Sequence, residues 1–300
     1  MSKVNYISVE EASQNWQISE RSVRNYCAQG RVEGALLEGK TWKIPSTAQK
    51  PDRKPRHSSA EETLFSFLKR EKDAGLKGGI YHKIQIDLTY NSNHIEGSKL
   101  THDQTRYIFE TKTLGVTDKA VKVDDIVETV NHFRCIDLII EGAQTKLTES
   151  FIKQLHFILK SGTTDSQKSW FKVGDYKMLE NEVGGSETTK PAEVAGAIKA
   201  LLKEYNSKSK ITFDDILDFH VRFESIHPFQ DGNGRVGRLI MFKECLKHNI
   251  VPFIITEELK MYYYRGIKNW KTERGFLRDT CFTGQDAMKA TLDYFGIKYE

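Results

Sequence analysis

Long hydrophobic runs are absent from this 300-residue chain. No stretch approaches the roughly 18 consecutive apolar residues of a membrane-spanning helix, so no membrane partner is expected. The opening MSKVNYISVEEA lacks the apolar centre of a signal peptide, which predicts no secretory signal and a cytoplasmic location. Cysteine is sparse. Cys27, Cys135, Cys245 and Cys281 stand far apart and match no metal-ligand spacing. They read as reduced, mostly buried side chains rather than nucleophiles. No internal repeat is present. A large charge imbalance is missing too: 45 Lys and Arg face 41 Asp and Glu, for a net charge of +4. What remains is an ordinary globular balance, 38% apolar and 29% charged, with chain enough for one large domain or two smaller ones.

The small positive excess is unevenly spread. Residues 1–57 hold 10 Lys and Arg against 6 Asp and Glu, while the remaining 243 residues carry 35 of each sign. The basic excess therefore lies wholly in the N-terminal piece. Residues 1–46 read as a compact unit. Ser8 caps a helix that runs to about Trp16, and Gln17-Ile18-Ser19 makes the turn. A second helix spans Glu20 to Gln29, carries Val23, Tyr26 and Cys27 inward, and ends at Gly30. Ala35 to Pro45 predicts a small hairpin. Arg21, Arg24 and Asn25 face outward on the second helix, and Lys40 and Lys43 sit on the hairpin. This pattern resembles the winged helix-turn-helix of excisionase and MerR-type DNA-binding domains. The resemblance implies DNA as a partner, with Arg21, Arg24 and Asn25 at bases or phosphates and Lys40 and Lys43 at phosphates. A helical adaptor that binds protein is the alternative. Residues 47–60, rich in proline and basic residues and without apolar periodicity, read as an extended linker.

The stretch 61–300 is mostly helical. Apolar stripes predict helices over Ala60–Asp73, over Asp124–Glu141, over Thr148–Lys160 with Thr148 as cap, and from Pro191 onward. Trp170 to Gly185 breaks the pattern and suggests a short hairpin with Gly174-Asp175 as its turn. Two further helices, Asp214–Ser225 and Val236–Lys247, flank the densest segment of the chain, His227-Pro-Phe-Gln-Asp-Gly-Asn-Gly-Arg-Val-Gly-Arg238. Gly232, Asn233 and Gly234 tolerate positive φ, so their N–H groups can form an anion nest reinforced by the helix start behind them. Arg235 and Arg238, three apart, share a helix face and can grip one polyphosphate. Asp231 offers an oxygen ligand for Mg²⁺ between phosphates. His227 is the group that can take a proton near neutral pH. The chemistry implied is transfer of a phosphorus-containing group from a nucleotide.

This segment resembles the Fic family signature HPFx(D/E)GNGRxxR at every position, and the likeness to the Fic core covers roughly residues 80–295. It implies a mainly α fold: a Fic helical core with a small β-hairpin flap, here preceded by the winged helix-turn-helix. It also implies transfer of AMP from ATP to a Ser, Thr or Tyr hydroxyl of a protein. By position, His227 resembles the general base and Asp231 the Mg²⁺ ligand. Asn233, Gly234 and Arg235 resemble the α/β-phosphate cradle, and Arg238 the γ-phosphate ligand. Gly232, Val236 and Gly237 complete the ATP loop, and Phe229 resembles its apolar anchor. Glycine at 234, where lysine marks a phosphorylating branch, favours AMP transfer. Tyr263 and Tyr264 fall where the family often has nucleotide-pocket tyrosines, while Lys271 stands where an adenine-binding asparagine is often found. The family's flap pairs with an extended segment of the target protein by strand addition, which assigns Asn181, Glu182, Val183 and Gly184 to the flap. Its acidic character predicts a basic or polar target segment.

A second motif lies upstream. Ser92-Asn-His-Ile-Glu-Gly97 resembles the family's inhibitory pattern (S/T)xxxE(G/N), on a helix expected at about 88–98. A carboxylate and a triphosphate compete for one guanidinium. The resemblance thus implies that Glu96 pairs with Arg238 and blocks the γ-phosphate, with Ser92 one turn earlier and Gly97 behind it. Inhibition is then intramolecular unless a homodimer swaps the segment. The same Glu96 can orient a water for removal of AMP, and a DNA-bound regulator that senses nucleotide is a further alternative.

Overall fold

The computed structural model describes residues 5–28, 30–39, 41–51, 62–115, 120–183 and 185–299, with only the backbone described at Val183 and Ser186. The chain divides into two compact units, Met1–Glu61 and Glu62–Glu300.

In the first unit, β1 (Tyr6–Ile7) leads to α1 (Val9–Trp16), α2 (Glu20–Ala28), β2 (Leu36–Glu38) and β3 (Thr41–Pro45). Ser8 starts α1 with a reciprocal cap: its Oγ accepts from the Glu11 N–H at 3.1 Å, and its own N–H donates to Glu11 Oε2 at 2.7 Å. Gln17 in the left-handed region ends the helix. Ser19 Oγ then accepts from the Ser22 N–H at 3.2 Å and opens α2. The antiparallel strands lie in the order β1-β3-β2, with Ile7 opposite Ile44 and Leu37 opposite Trp42. Val9, Ala12, Trp16, Val23, Cys27, Val32 and Ile44 form the core. Arg21, Arg24, Asn25 and Lys43 are exposed, and Arg24 pairs with Glu20 at 2.8 Å. Lys40 and most of the expected linker lie outside the described residues.

The second unit is a helical assembly: α3 (Leu64–Asp73), α4 (Ile80–Ile95), α5 (His102–Thr111), α6 (Val123–Gly142) and α7 (Glu149–Lys160), then a 3₁₀ turn at Asp165–Gln167. The hairpin β4 (Glu182–Val183) and β5 (Ser186–Glu187) follows, then α8 (Pro191–Ser207), α9 (Phe213–Ile226), α10 (Asn233–Lys247), α11 (Glu257–Asn269) and α12 (Gly275–Phe295). Threonine side chains at 63, 101, 148 and 212 accept first-turn N–H groups and fix where α3, α5, α7 and α9 begin. Helix α10 is the central element. Val236, Leu239, Ile240, Cys245 and Leu246 are all buried on it, and so are Lys243 and Glu244. Lys243 Nζ satisfies its charge on Glu244 (2.8 Å) and on the Ala143 (3.2 Å) and Thr145 (2.7 Å) carbonyls.

Three expectations are corrected. The helix expected from Ala60 begins at Leu64, because Thr63 caps it. The helix expected at about 88–98 runs from Ile80 to Ile95, so Glu96 stands at its C-cap and Gly97 leaves at φ 96°. The hairpin expected to turn at Gly174-Asp175 forms instead over 182–187, with Glu182 opposite Glu187. Residues 174–179 cannot pair as strands because their backbone donors are taken elsewhere. The Gly174 N–H donates to His156 Nδ1 (2.9 Å), that of Lys177 to the Pro228 carbonyl (2.9 Å), and that of Leu179 to Gln230 Oε1 (3.1 Å).

Candidate nucleotide-transfer site

The loop 227–232 between α9 and α10 is held from three sides. Phe229 is fully buried and stacks on His156, with ring centroids 3.9 Å apart and planes 4° from parallel. His156 Nδ1 accepts from Gly174, so its Nε2 carries the proton and donates to the Asp231 carbonyl at 3.1 Å. Asn233 closes the loop on itself: its Oδ1 accepts from the Phe229 N–H and its Nδ2 donates to the Phe229 carbonyl, both at 2.8 Å. The Asn233 side chain is thereby committed to the loop. Gly232 takes φ 83°, whereas Asn233 and Gly234, expected to share that freedom, are the first residues of α10. The second left-handed residue is His227, at φ 51°.

No side chain caps α10, so among the described residues its first-turn N–H groups have no side-chain capping partner. A carboxylate sits over that turn. Glu96 Oε1 accepts from Arg238 Nη2 at 2.6 Å and lies so close to Gly234 that a Cβ there would collide with it. Arg238 is 5% exposed, and the Ser92 hydroxyl and carbonyl accept from its Nε and Nη2 at 3.0 and 2.9 Å. Glu96, Ser92 and Arg238 thus come together, although 146 residues separate the outer pair.

The second arginine lies in a different network. Arg235 donates to Glu128 Oε2 and, at 3.3 Å, to Asp231 Oδ2. Lys160 Nζ reaches the same two acids, at 2.5 Å from Glu128 and 2.6 Å from Asp231. Burial works to raise the Asp231 carboxyl, but Arg235 and Lys160 overcome it and hold it at about 2. Asp231 therefore stays ionised. Glu128, Lys160 and His156 were missed by sequence reasoning. The signal was available for two of them: His156 and Lys160 interrupt the apolar stripe of α7 four residues apart, on one face.

His227 is half-buried. Burial first, and then the Lys177 ammonium, push its ring down to about 4, so it is neutral at pH 7. Its Nδ1 is buried without hydrogen-bond geometry to any partner among the described residues. Behind the arginines, Glu224 is pushed up to about 8 by burial, against the pull of Arg238 and with Glu96 adding to the rise. Tyr263 is fully buried and shares a 2.5 Å bond with His220 Nε2, so it is part of the core beneath Arg238. Tyr264 is 41% exposed and feels Glu96 and Arg238. Val236 is core, and Gly237 lets α10 approach His220 and Glu224. Asn181 Nδ2 donates to the Phe229 carbonyl at 3.2 Å, so this flap residue tethers the loop. Glu182 is exposed, and Gly184 lies outside the described residues. Lys271 follows the end of α11 and is exposed. Among the described residues, no group of three or more His, Cys, Asp or Glu is arranged to hold a metal, and no helix is long and apolar enough to cross a membrane.

Residues 146–245 match the Fic/DOC family. The protein adenylyltransferase Fic of Aedes aegypti is 26% identical over 244 residues, covering 79% of this chain and 45% of that protein. Its counterpart in Drosophila mojavensis is 25% identical over 252 residues, covering 81% and 46%. The chain thus spans about half the length of the curated relatives it matches. A Fic domain containing signaling protein from Bacteroides thetaiotaomicron is similar in structure, with TM-score 0.57 and 26% identity over 77% of this chain and 90% of that one. Fic-1 from C. elegans, at 18% identity, shares the fold, with TM-score 0.62 over 77% and 70%. The likeness to the Fic/DOC family model is confined to residues 146–245, while the relatives and solved structures align over most of the chain.

Proposed function

We propose that the 62–300 unit is a self-inhibited protein adenylyltransferase, moving AMP from ATP to a Ser, Thr or Tyr hydroxyl of a target protein, itself included. The observation that carries this reading is the Glu96 carboxylate seated on Arg238 over the uncapped first turn of α10. It stands where an anion is favoured, so the inhibited state supports a phosphate site beneath it. His227, neutral at pH 7, accepts the target hydroxyl's proton while the oxygen attacks the α-phosphorus in line. The bond to the bridging oxygen breaks and pyrophosphate leaves. Its charge is met by Arg235, by Arg238 once Glu96 has moved, and by the first-turn N–H groups of Asn233, Gly234 and Arg235. Tyr264, half-exposed beside these groups, is offered to the nucleotide base. One half-exposed carboxylate suits Mg²⁺, which is commonly held by one or two acids plus substrate phosphates, so Asp231 would hold it and the ion would neutralise phosphate charge. The hairpin 182–187 would receive the target segment along its edge.

For the first unit we propose DNA binding through Arg21, Arg24, Asn25 and Lys43, all exposed in a helix-turn-helix-hairpin order. The test incubates wild type, Glu96→Gly and His227→Ala with α-labelled ATP, Mg²⁺ and a host lysate. Label with Glu96→Gly and none with His227→Ala supports the transferase. A carboxylate poised at the site also favours removal of AMP with Glu96 orienting water. In that case Glu96→Gly loses hydrolysis of a modified target. No label and no hydrolysis would turn the search to nucleotide-dependent DNA binding, read by its salt dependence.

A further inference from the structure

Lys177 is a buried cation that the mechanism leaves unused. It is 3% exposed, and its Nζ donates to three neutral acceptors: Thr188 Oγ1 at 2.6 Å, Asn181 Oδ1 at 2.7 Å and, weakly, the Ile226 carbonyl at 3.5 Å. A buried ammonium served by neutral partners is costly, so its position needs a reason. Its backbone gives one. The Lys177 N–H donates to the Pro228 carbonyl at 2.9 Å, so one residue grips the carbonyls on both sides of His227. His227 is a non-glycine residue in the left-handed region, at φ 51° and ψ 64°, a conformation that persists when its surroundings over-determine it.

We propose that Lys177 is a positioning residue for His227: it clamps the chain on either side of the base and sets the electric field in which the base works. The inference rests on the reading of His227 as general base. The clamp continues into the flap. Lys177 Nζ binds Asn181 just before β4 and Thr188 just after β5, and Thr188 Oγ1 also donates to Asn181 at 2.6 Å. A target strand added to the 182–187 hairpin therefore acts on His227 through one buried ammonium. The field supports the same role. Burial and then Lys177 lower the His227 ring, while the Glu224 carbonyl, Asp231 and Glu96, which face it from α9, its own loop and the end of α4, pull the other way.

The test is an NMR titration of the His227 ring in the full chain, labelled at histidine and assigned with His227→Ala. It compares wild type, Lys177→Met, Lys177→Gln and Lys177→Arg. Losing one neighbouring charge raises the titration midpoint by about one unit, so about half of His227 is protonated at pH 5 instead of about a tenth. Lys177→Gln keeps part of the hydrogen bonding without the charge and serves if Lys177→Met does not fold. Lys177→Arg keeps the wild-type midpoint. In a Glu96→Gly background the uncharged variants lose about ten- to a hundredfold in kcat with KM for ATP unchanged, as a displaced base would. An unchanged His227 midpoint in folded Lys177→Gln overturns the proposal. A shifted midpoint with no AMP transfer in any variant upholds the role of Lys177 and refutes the transferase instead.

Discussion

Replacing Glu96 with glycine removes one charge-assisted bond, Arg238 Nη2 to Glu96 Oε1 at 2.6 Å, between a guanidinium that is 5% exposed and a carboxylate that is 30% exposed. Such a bond contributes about 1.5–3 kcal/mol net. A γ-phosphate that needs Arg238 must first break it. Arg238 is not stranded by the change, because the Ser92 hydroxyl and carbonyl still accept from it. At about 1.4 kcal/mol per tenfold, the proposed competition would hold the rate down by roughly 10- to 150-fold. Glu96→Gly should therefore raise the initial rate of AMP transfer by that factor. Glu96→Gln, similar in shape but uncharged, should release a smaller part of it. The assay is incorporation of α-labelled AMP under initial-rate conditions, with ATP affinity measured by calorimetry on the His227→Ala background, where turnover cannot confuse binding. A rate for Glu96→Gly within twofold of wild type, at equal ATP affinity, would refute the competition argument.

The remaining predictions address the scaffold. Glu128 is one of two acids that Lys160 and Arg235 share, so Glu128→Ala leaves two buried cations sharing Asp231, with Asp165 3.8 Å from Lys160. We expect a loss of about 3 kcal/mol and roughly 6–12 °C in Tm, read by thermal denaturation. Gly266 on α11 packs against the backbone of Leu277 on α12, where an added Cβ would meet Leu277 Cα at 2.6 Å. Backbone cannot give way as a side chain can, so Gly266→Ala should cost about 1–3 kcal/mol, measured by chemical denaturation. Stability should fall as the solution is acidified from pH 6.5 to 5.5. His132, His156 and His220 are buried and pushed down to about 3 from an ordinary 6.5, so the unfolded chain binds protons that the folded chain refuses. Their contribution is complete above about pH 6.5 and is lost as the pH falls toward 3, by about 1 kcal/mol each over this interval. Glu224, pushed up to about 8 from 4.5, runs the opposite way, with stability present below about 4.5 and lost as the pH rises through 8; it returns about 1 kcal/mol over the same interval. His227, pushed down to about 4, loses about 1 kcal/mol more in the same direction, so the net expectation is a loss of about 3 kcal/mol, and a flat or rising denaturation midpoint would contradict it.

The 227–238 segment was legible because its chemistry is local. Base, acid, turn glycine and both arginines fall within twelve residues, and two helical stripes bracket them. Glu96 was legible through its own short motif, although its partner lies 142 residues away. The hairpin was misplaced for a physical reason. Gly174-Asp175 has good turn chemistry, and Gly174 does take φ 77°, but the strands that should flank it spend their donors on His156, Pro228 and Gln230. A local turn signal carries no information about such distant acceptors. Glu128, Lys160 and Lys177 were illegible for the same cause, since each is a polar residue whose meaning depends on what folds over it.

Those hidden residues change how the site's charge is understood. At pH 7 four cations converge on the loop: Arg235, Arg238, Lys160 and Lys177. The carboxylates set among them are Glu96, Glu128, Asp231 and Asp165, the last 3.8 Å from Lys160 Nζ, while Glu224, pushed up to about 8, keeps its proton. Glu128 and Asp231 are bound into the scaffold by two cations each. Glu96 is tied to one cation and sits at the end of a helix, so it is the anion that can leave with least disruption. Its withdrawal frees the Arg238 guanidinium beside an uncapped helix start, an arrangement that favours a polyanion and disfavours an empty site. On the proposed reading, Glu96 and the phosphates of a nucleotide would be alternative partners for the same guanidinium, and release of Glu96 should become easier as ATP rises.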